Sequence, residues 1–385
     1  MYRLNEEQQQ IVGLAASTAE RDIRPNAAQV DRDGTFPTES IASLGRERLL
    51  GLTIPTAFGG RGQGLRTAAA TLDAVAQHCA STAMVYLMHL CGVACYVPAS
   101  DKTAKILREA AEGRHLATLA FSEKGSRSHF WAPVSRAGKA DGKGAIVLNA
   151  AKSFVTSAGH ADGYVVSTLA AGATQPLEST IYLVHRDDAG LSVSGPWRGL
   201  GMRGNASAPM TLQGVKVGPE RALTAEGKGL DTMLGVVLPA FQVGSAAVAL
   251  GIAEAAVQAT ALHLKQSRLE HMNTTLAELP TLRARLAQMR IETDRARAHL
   301  VSVLDALESP GPTTQLLVLE AKAAATEAAV TVTDLAMRTC GGAAFAGAFG
   351  LDRLFRDARA PIVMAPTTDQ AYDFIGRALC GLEVF

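Results

Sequence analysis

Residues 356–370 read RDARAPIVMAPTTDQ. Arg356 and Arg359 bracket Asp357, an apolar run follows, and Pro366, Thr367, Thr368 and Asp369 close the segment. Hydroxyls and a carboxylate in a loop near a chain terminus suit contacts to a polar ligand. Such a loop could also carry a proton-abstracting carboxylate, which must be ionised, desolvated and within hydrogen-bond reach of its carbon acid. The middle of the loop, Met364-Ala365-Pro366, offers no such group.

Two further stretches have chemical potential. LAFSEKGSRS (119–128) ends a strand in hydroxyls and glycine, leaving backbone N–H groups available to an acceptor. NAAKSFVTSAGHADGYVV (149–166) puts Phe154 and Thr156 on one face of a strand, where a ring could stack and a hydroxyl could bond a planar cofactor. On periodicity alone an ordinary half-buried strand explains that stretch as well.

Other signals are excluded by context. GLGMRG (199–204) spells G-x-G-x-x-G, but NASAPMTLQGVKV follows as a strand. A dinucleotide fold needs a helix there to meet the pyrophosphate. No P-loop, G-x-S-x-G elbow or H-E-x-x-H occurs. The nine histidines never pair at zinc spacing, and the five cysteines form no C-x-x-C, so free thiols in a reducing, cytoplasmic setting are expected.

The elements that must position these groups fall into three zones. The chain has 385 residues, too long for one ordinary core. It is 48% hydrophobic and 19% charged, with 37 basic against 36 acidic residues and a net charge of +1. No basic surplus points to nucleic acid. Residues 1–115 read as helices, 116–227 as short β-rich runs separated by turn residues, and 228–385 as long helices near 230–268, 276–307, 313–340 and 366–381. A helical domain, a small barrel or sandwich and a four-helix bundle follow. GVVLPAFQVGSAAVALGIA (235–253) is long and apolar, but it holds Pro239, Gln242 and Ser245 and runs into Glu254, so it reads as a buried core helix rather than a membrane span.

Five segments in this order resemble the acyl-CoA dehydrogenase family of flavoproteins along nearly the whole chain: LLGLTIPTAFGGRGQGL, LAFSEKGSRSH, LNAAKSFVTSAGHADGYVV, GLGMRGNASAPMTLQGVKVGPERAL and CGGAAFAGAFGLDRLFRDARAPIVMAPTTDQ. The resemblance implies a mainly α fold with a central β-barrel domain. It implies FAD, with FMN as the alternative flavin, and a homotetramer or homodimer whose cofactor site a neighbouring subunit completes.

Carried over residue by residue, Ser122, Ser128, Phe154 and Thr156 match flavin-facing positions. Thr367 and Asp369 match contacts to the phosphates and adenosine, and Arg338, Gly341 and Gly342 match the segment that reaches across the subunit interface. Tyr86, His89, Phe241, Gln242 and Met364 fall at the acyl pocket. The family's catalytic glutamate position is Ala365. The alternative position for the base, on the first long bundle helix, is Phe241. Neither is acidic. A family R-x-x-F-G motif is also degraded, with Ser267 and Glu270 at its ends and Arg268 next door.

The first reading is therefore a flavin oxidoreductase acting on an acyl-CoA or acyl-carrier-protein thioester with a non-standard base, His89 or an acid elsewhere such as Asp231. Its electrons go to an electron-transfer flavoprotein or to oxygen. The alternatives are a flavin monooxygenase of the same fold served by a flavin reductase, a flavoprotein whose substrate needs no strong base, and a non-catalytic partner subunit. Retention of Ser122, Phe154 and Thr156 argues against the last.

Overall fold

The computed structural model describes residues 1–127, 129–139 and 145–384. Asn5 starts the first helix with a capping box: its side chain accepts from Gln8 N–H at 2.9 Å, and Gln8 returns the bond at 3.0 Å. Six helices follow one another: α1 (Glu6–Thr18), α2 (Arg24–Asp33), α3 (Thr38–Arg46), α4 (Leu65–Ala76), α5 (Ala80–Tyr96) and α6 (Ser100–Ala111). α4 and α5 are buried nearly all round. They are apolar on every side, so each needs cover on every side.

The central strands are β1 (Ala117–Ala120), β2 (Gly138–Lys139), β3 (Ile146–Val155), β4 (Gly163–Leu169), β5 (Ser179–His185), β6 (Leu191–Val193) and β7 (Ala208–Val217). They form two sheets, ordered β1-β4-β5 and β2-β3-β7-β6, with β1 parallel to β4 and the other pairs antiparallel. Single bridges at Glu123–Lys152 and Arg136–Leu169 join the sheets into the barrel-like unit.

The C-terminal region holds α7 (Gly229–Thr232), α8 (Leu238–Gln266), a two-stranded ribbon of β8 (Arg268–Leu269) and β9 (Thr274–Thr275), α9 (Pro280–Glu308) and α10 (Thr314–Cys340). Short α11 (Gly342–Phe345), α12 (Leu351–Asp357) and α13 (Ala360–Val363) lead to α14 (Thr368–Leu379). Each long helix reverses the one before it, so α8 and α10 run parallel; Thr260 and Cys340 meet near their C-terminal ends at 3.8 Å.

Two helical stretches, Ala80–Ala111 and Gly229–Gln266, are long and apolar enough to cross a bilayer by length and composition. In this fold 89% and 78% of their most apolar windows are buried against the rest of the chain. α8 lies against both α4 and α5, so the N-terminal helices and the bundle share one core.

Candidate functional site

The candidate site has two parts: the end of β3 with the start of β7, and the loop after α13. Phe154 and Ser157 take left-handed backbone conformations, with φ of 53° and 61°. Such a conformation costs a non-glycine residue roughly 1–2 kcal/mol, and a register irregularity between Lys152 and Val155 accompanies it. The kink turns the Phe154 ring outward, where it is 71% exposed. Trp197 stands edge-on to it at 6.4 Å between ring centres. An uncovered aromatic pair on a rigid sheet end is a ledge for a flat, apolar-faced ligand.

Behind the ledge lies a cluster of polar groups. The Thr156 and Ser207 hydroxyls bond at 2.9 Å, and the Thr118 hydroxyl donates to Thr156 O at 2.8 Å. Ser157 N–H donates to Asn205 O at 3.0 Å. Asn205 Nδ2 and Ser157 Oγ are buried without a partner among the described residues. Unmet buried polar atoms cost about 1–3 kcal/mol each, so their presence points to a ligand edge or ordered water. Ser122 sits half-buried beside them; its carbonyl accepts from Ser153 N–H at 2.8 Å. Ser128 lies outside the described residues.

A buried ion pair fixes this corner. Lys152 Nζ reaches Glu123 Oε1 at 2.6 Å and Ser167 O at 2.5 Å, and both side chains are almost wholly buried. Glu123 also accepts from Val134 N–H and Ser135 N–H, each at 2.8 Å, and from the Ser135 hydroxyl. Burial alone would push its carboxyl up. The Lys152 ammonium and these donors outweigh it and hold the group below the ordinary glutamate value.

The loop that should carry the base is anchored from α10. Lys322 is fully buried, and its Nζ donates to Met364 O at 2.8 Å and Pro366 O at 2.6 Å. Burial draws its pKa down to about 7. Met364 and Ala365 are half-buried. Thr367 caps α14 by accepting from Gln370 N–H at 3.2 Å, and Asp369 is exposed in the first turn. Gln370 also meets His129 at 3.3 Å, tying this end to the loop after β1.

Arg338 is exposed and paired with Asp334 at 2.7 Å. It precedes Gly341, whose φ is 56°, and Gly342; a Cβ at either glycine would meet nothing within 4 Å.

Several expected roles are corrected. His89 is not free for acid–base work: it is fully buried, with Nε2 bonded to Leu50 O at 2.8 Å and Nδ1 accepting from Ala117 N–H at 3.0 Å. Those partners hold it as the neutral tautomer. Burial pushes its pKa down to about 4. Tyr86 lies on the same side of α5, fully buried, and donates to Leu49 O at 2.7 Å.

An apolar cavity of about 60 Å³ opens instead on a different face of α5, lined by Leu87, Leu90, Cys91 and Ala94 and closed by α4 and by Ala240, Val243 and Gly244 of α8. Tyr86, His89, Phe241, Gln242 and Met364 do not line it. Gln242 is fully buried, with both amide atoms unpaired among the described residues. Asp231 is exposed on α7. No cluster of three metal-ligating side chains occurs among the described residues.

Sequence reasoning missed Lys322 and Trp197. A signal for Lys322 existed: Val318, Lys322, Ala325 and Ala329 recur at i+4, i+3 and i+4, and all are buried, so a lone lysine stood on a core face.

A three-part helix–sheet–bundle architecture with an aromatic ledge over buried hydroxyls defines a flavoprotein oxidoreductase class. Family profiles agree: acyl-CoA dehydrogenase N-terminal domain over residues 5–113, middle domain over 118–215 and C-terminal domain over 227–380. The chain belongs to the acyl-CoA dehydrogenase family and is a flavin-dependent oxidoreductase of that type.

It is similar to cyclohex-1-ene-1-carbonyl-CoA dehydrogenase of Syntrophus aciditrophicus (strain SB), with 27% identity covering 98% of this chain and 91% of that protein. The fold matches butyryl-CoA dehydrogenase from Megasphaera elsdenii at a TM-score of 0.89 and 23% identity, covering 98% and 99% of the two chains. It also matches a chain from work on the electron transferring flavoprotein of Acidaminococcus fermentans at 0.92 and 22%, covering 98% and 99%.

FAD, the family's cofactor, fits the residues present. The exposed Phe154 face and the Asn205 and Ser157 groups, unpaired among the described residues, offer a ring contact and an edge contact.

Proposed function

We propose that the chain oxidises the Cα–Cβ bond of an acyl thioester without a resident carboxylate to take the α-proton. One observation carries this reading: the aromatic and hydroxyl ledge is intact while the opposite wall has no acid. Ala365 and Phe241 occupy the two positions where a carboxylate would stand, and both nitrogens of His89 are sealed by backbone. The thioester class is supported by the coenzyme A thioester named for the Syntrophus relative.

When bound, FAD supplies the acceptor for the β-hydride. Phe154 and Trp197 would hold the ring, and Ser122, Thr156 and Ser207 would face its polar edge. Thr367, the N-cap of α14, and Asp369, in its first turn, would meet the more distant part of the cofactor. The Ala365 N–H binds the thioester carbonyl oxygen, draws electron density from the α-carbon and makes its proton easier to remove. That proton leaves to water at the half-exposed loop. The price is rate, since a positioned base contributes roughly 10²–10⁴-fold. The acyl tail occupies the cavity between α4, α5 and α8.

Electrons pass to an electron-transfer flavoprotein, a partner class supported by the Acidaminococcus neighbour. A second copy covers the edge formed by Arg338, Gly341, Gly342 and Phe345, whose ring is 86% exposed.

Anaerobic titration of the FAD-loaded protein with linear, branched and alicyclic acyl-CoA esters tests the reading. Bleaching of the visible flavin band by at least one ester is expected. An unchanged band with every ester overturns it.

A further inference from the structure

Among the described residues, Lys322 is the one buried cation whose hydrogen bonds all run to the loop that carries Ala365. Its two acceptors, Met364 O and Pro366 O, lie on either side of that residue. No carboxylate pairs with it among the described residues. The parallel helices explain part of this. Thr260 of α8 is level with Cys340 of α10. Eighteen residues earlier, five turns in each helix, Gln242 stands level with Lys322. Gln242 is neutral and fully buried, with both amide atoms unpaired among the described residues, and the neighbouring positions Phe241, Val243 and Gly244 carry no acid either.

The consequence runs through a single peptide group. Met364 O and Ala365 N–H belong to the same amide and, in a trans peptide, point in opposite directions. The carbonyl is held by the ammonium in the core. The N–H is in a half-buried loop and donates to no acceptor among the described residues. A cation on the carbonyl end polarises the amide and strengthens the donor at the other end, and a low-dielectric surrounding magnifies the effect.

We propose that Lys322 is a positioning residue that acts through the Met364–Ala365 peptide, making Ala365 N–H a strengthened donor for the thioester carbonyl oxygen. The inference rests on the acyl-thioester reading above. It also gives a chain without a base a way to lower the cost of α-proton loss: the enolate-like charge builds on an oxygen that faces a polarised N–H.

The test uses the FAD-loaded full chain and 3-thiahexanoyl-CoA labelled with ¹³C at the thioester carbonyl. Sulfur replaces the β-carbon, so no hydride is available and the complex persists. Infrared difference spectra then read the carbonyl stretch of the bound ester. In the wild type the band falls below that of the free ester. In Lys322→Met, of similar length but with neither charge nor donors, at least half of that fall is lost and binding weakens by about tenfold. Lys322→Gln, which keeps a neutral donor, lies between them and carries the test alone if the Met variant does not fold or hold FAD.

An equal band shift in wild type and variant overturns the role of Lys322 while leaving the thioester reading intact. A wild type that binds the ester with no lowered band overturns the Ala365 donor and the role of Lys322, and one that binds no ester and shows no bleaching in the flavin titration overturns the thioester reading as well.

Discussion

His89 binds two backbone groups that lie far from it in the chain, Leu50 C=O and Ala117 N–H, and neither has another partner among the bonds described. His89→Ala leaves both buried and unmet, at about 1–3 kcal/mol each. A loss of roughly 2–6 kcal/mol in urea unfolding is expected, with FAD still bound under native conditions. Unchanged stability would contradict the structural role.

The same residue sets a pH dependence. Its folded pKa, lowered by burial to about 4, lies below the ordinary histidine value. The stabilisation is therefore present above about pH 6.5 and is lost as pH falls through about 4, because the unfolded chain takes up the proton first. Unfolding free energy measured from pH 7 to 4 should fall by roughly 3 kcal/mol more in the wild type than in His89→Asn. Equal slopes would place the titration elsewhere.

α8 presses its backbone onto α4. A Cβ at Gly251 would stand 2.4 Å from Asp73 O and 2.6 Å from Ala76 Cβ. Because the nearest atom is backbone, Gly251→Ala must push the helices apart, at a cost of roughly 1–3 kcal/mol. A thermal melt that does not move would show that the two helices have slack.

The strand corner is as tightly set. Lys152→Met leaves the Glu123 carboxylate buried and uncompensated, with an expected loss of about 3–5 kcal/mol. Chemical denaturation measures that loss, and a variant as stable as wild type would mean water reaches Glu123.

The long apolar helices and short turn-bounded strands were legible in the sequence because each announces its own period. The face of α5 that borders the cavity was not. α5 is apolar all round, and only the strand and the loop that pack on it decide that His89 and Tyr86 point away from the cavity while Leu87 and Leu90 line it. The burial of Lys322 could be read from its helix period, but its partners could not: its acceptors lie 42 and 44 residues further along.

The three regions meet at the loop 199–204. Met202 N–H donates to buried Asp357 at 2.5 Å, Trp197 Nε1 donates to Met202 O at 3.2 Å, and Gly204 N–H donates to the Ser81 hydroxyl at 3.2 Å. Arg356 closes the junction on Asp31 of α2 at 2.6 Å. The aromatic ledge of the sheet is thereby fixed, through Trp197, to the segment that leads into Ala365. The site is a product of the whole chain, and its family motifs could be recognised in sequence only because their order survives. The motifs carried the missing acid at Ala365; what they did not carry was the anchoring of its loop by Lys322.

The central claim is that position 365 faces the α-carbon and that its carboxylate is missing. The most direct measurement is anaerobic single-turnover flavin reduction in wild type and Ala365→Glu, with the acyl-CoA ester that bleaches the wild type fastest. A positioned base is worth roughly 10²–10⁴-fold, so a rise of about a hundredfold or more is predicted. An unchanged or slower rate, in a variant that still holds FAD and the ester, would show that the loop does not present residue 365 to the α-carbon and would contradict the account.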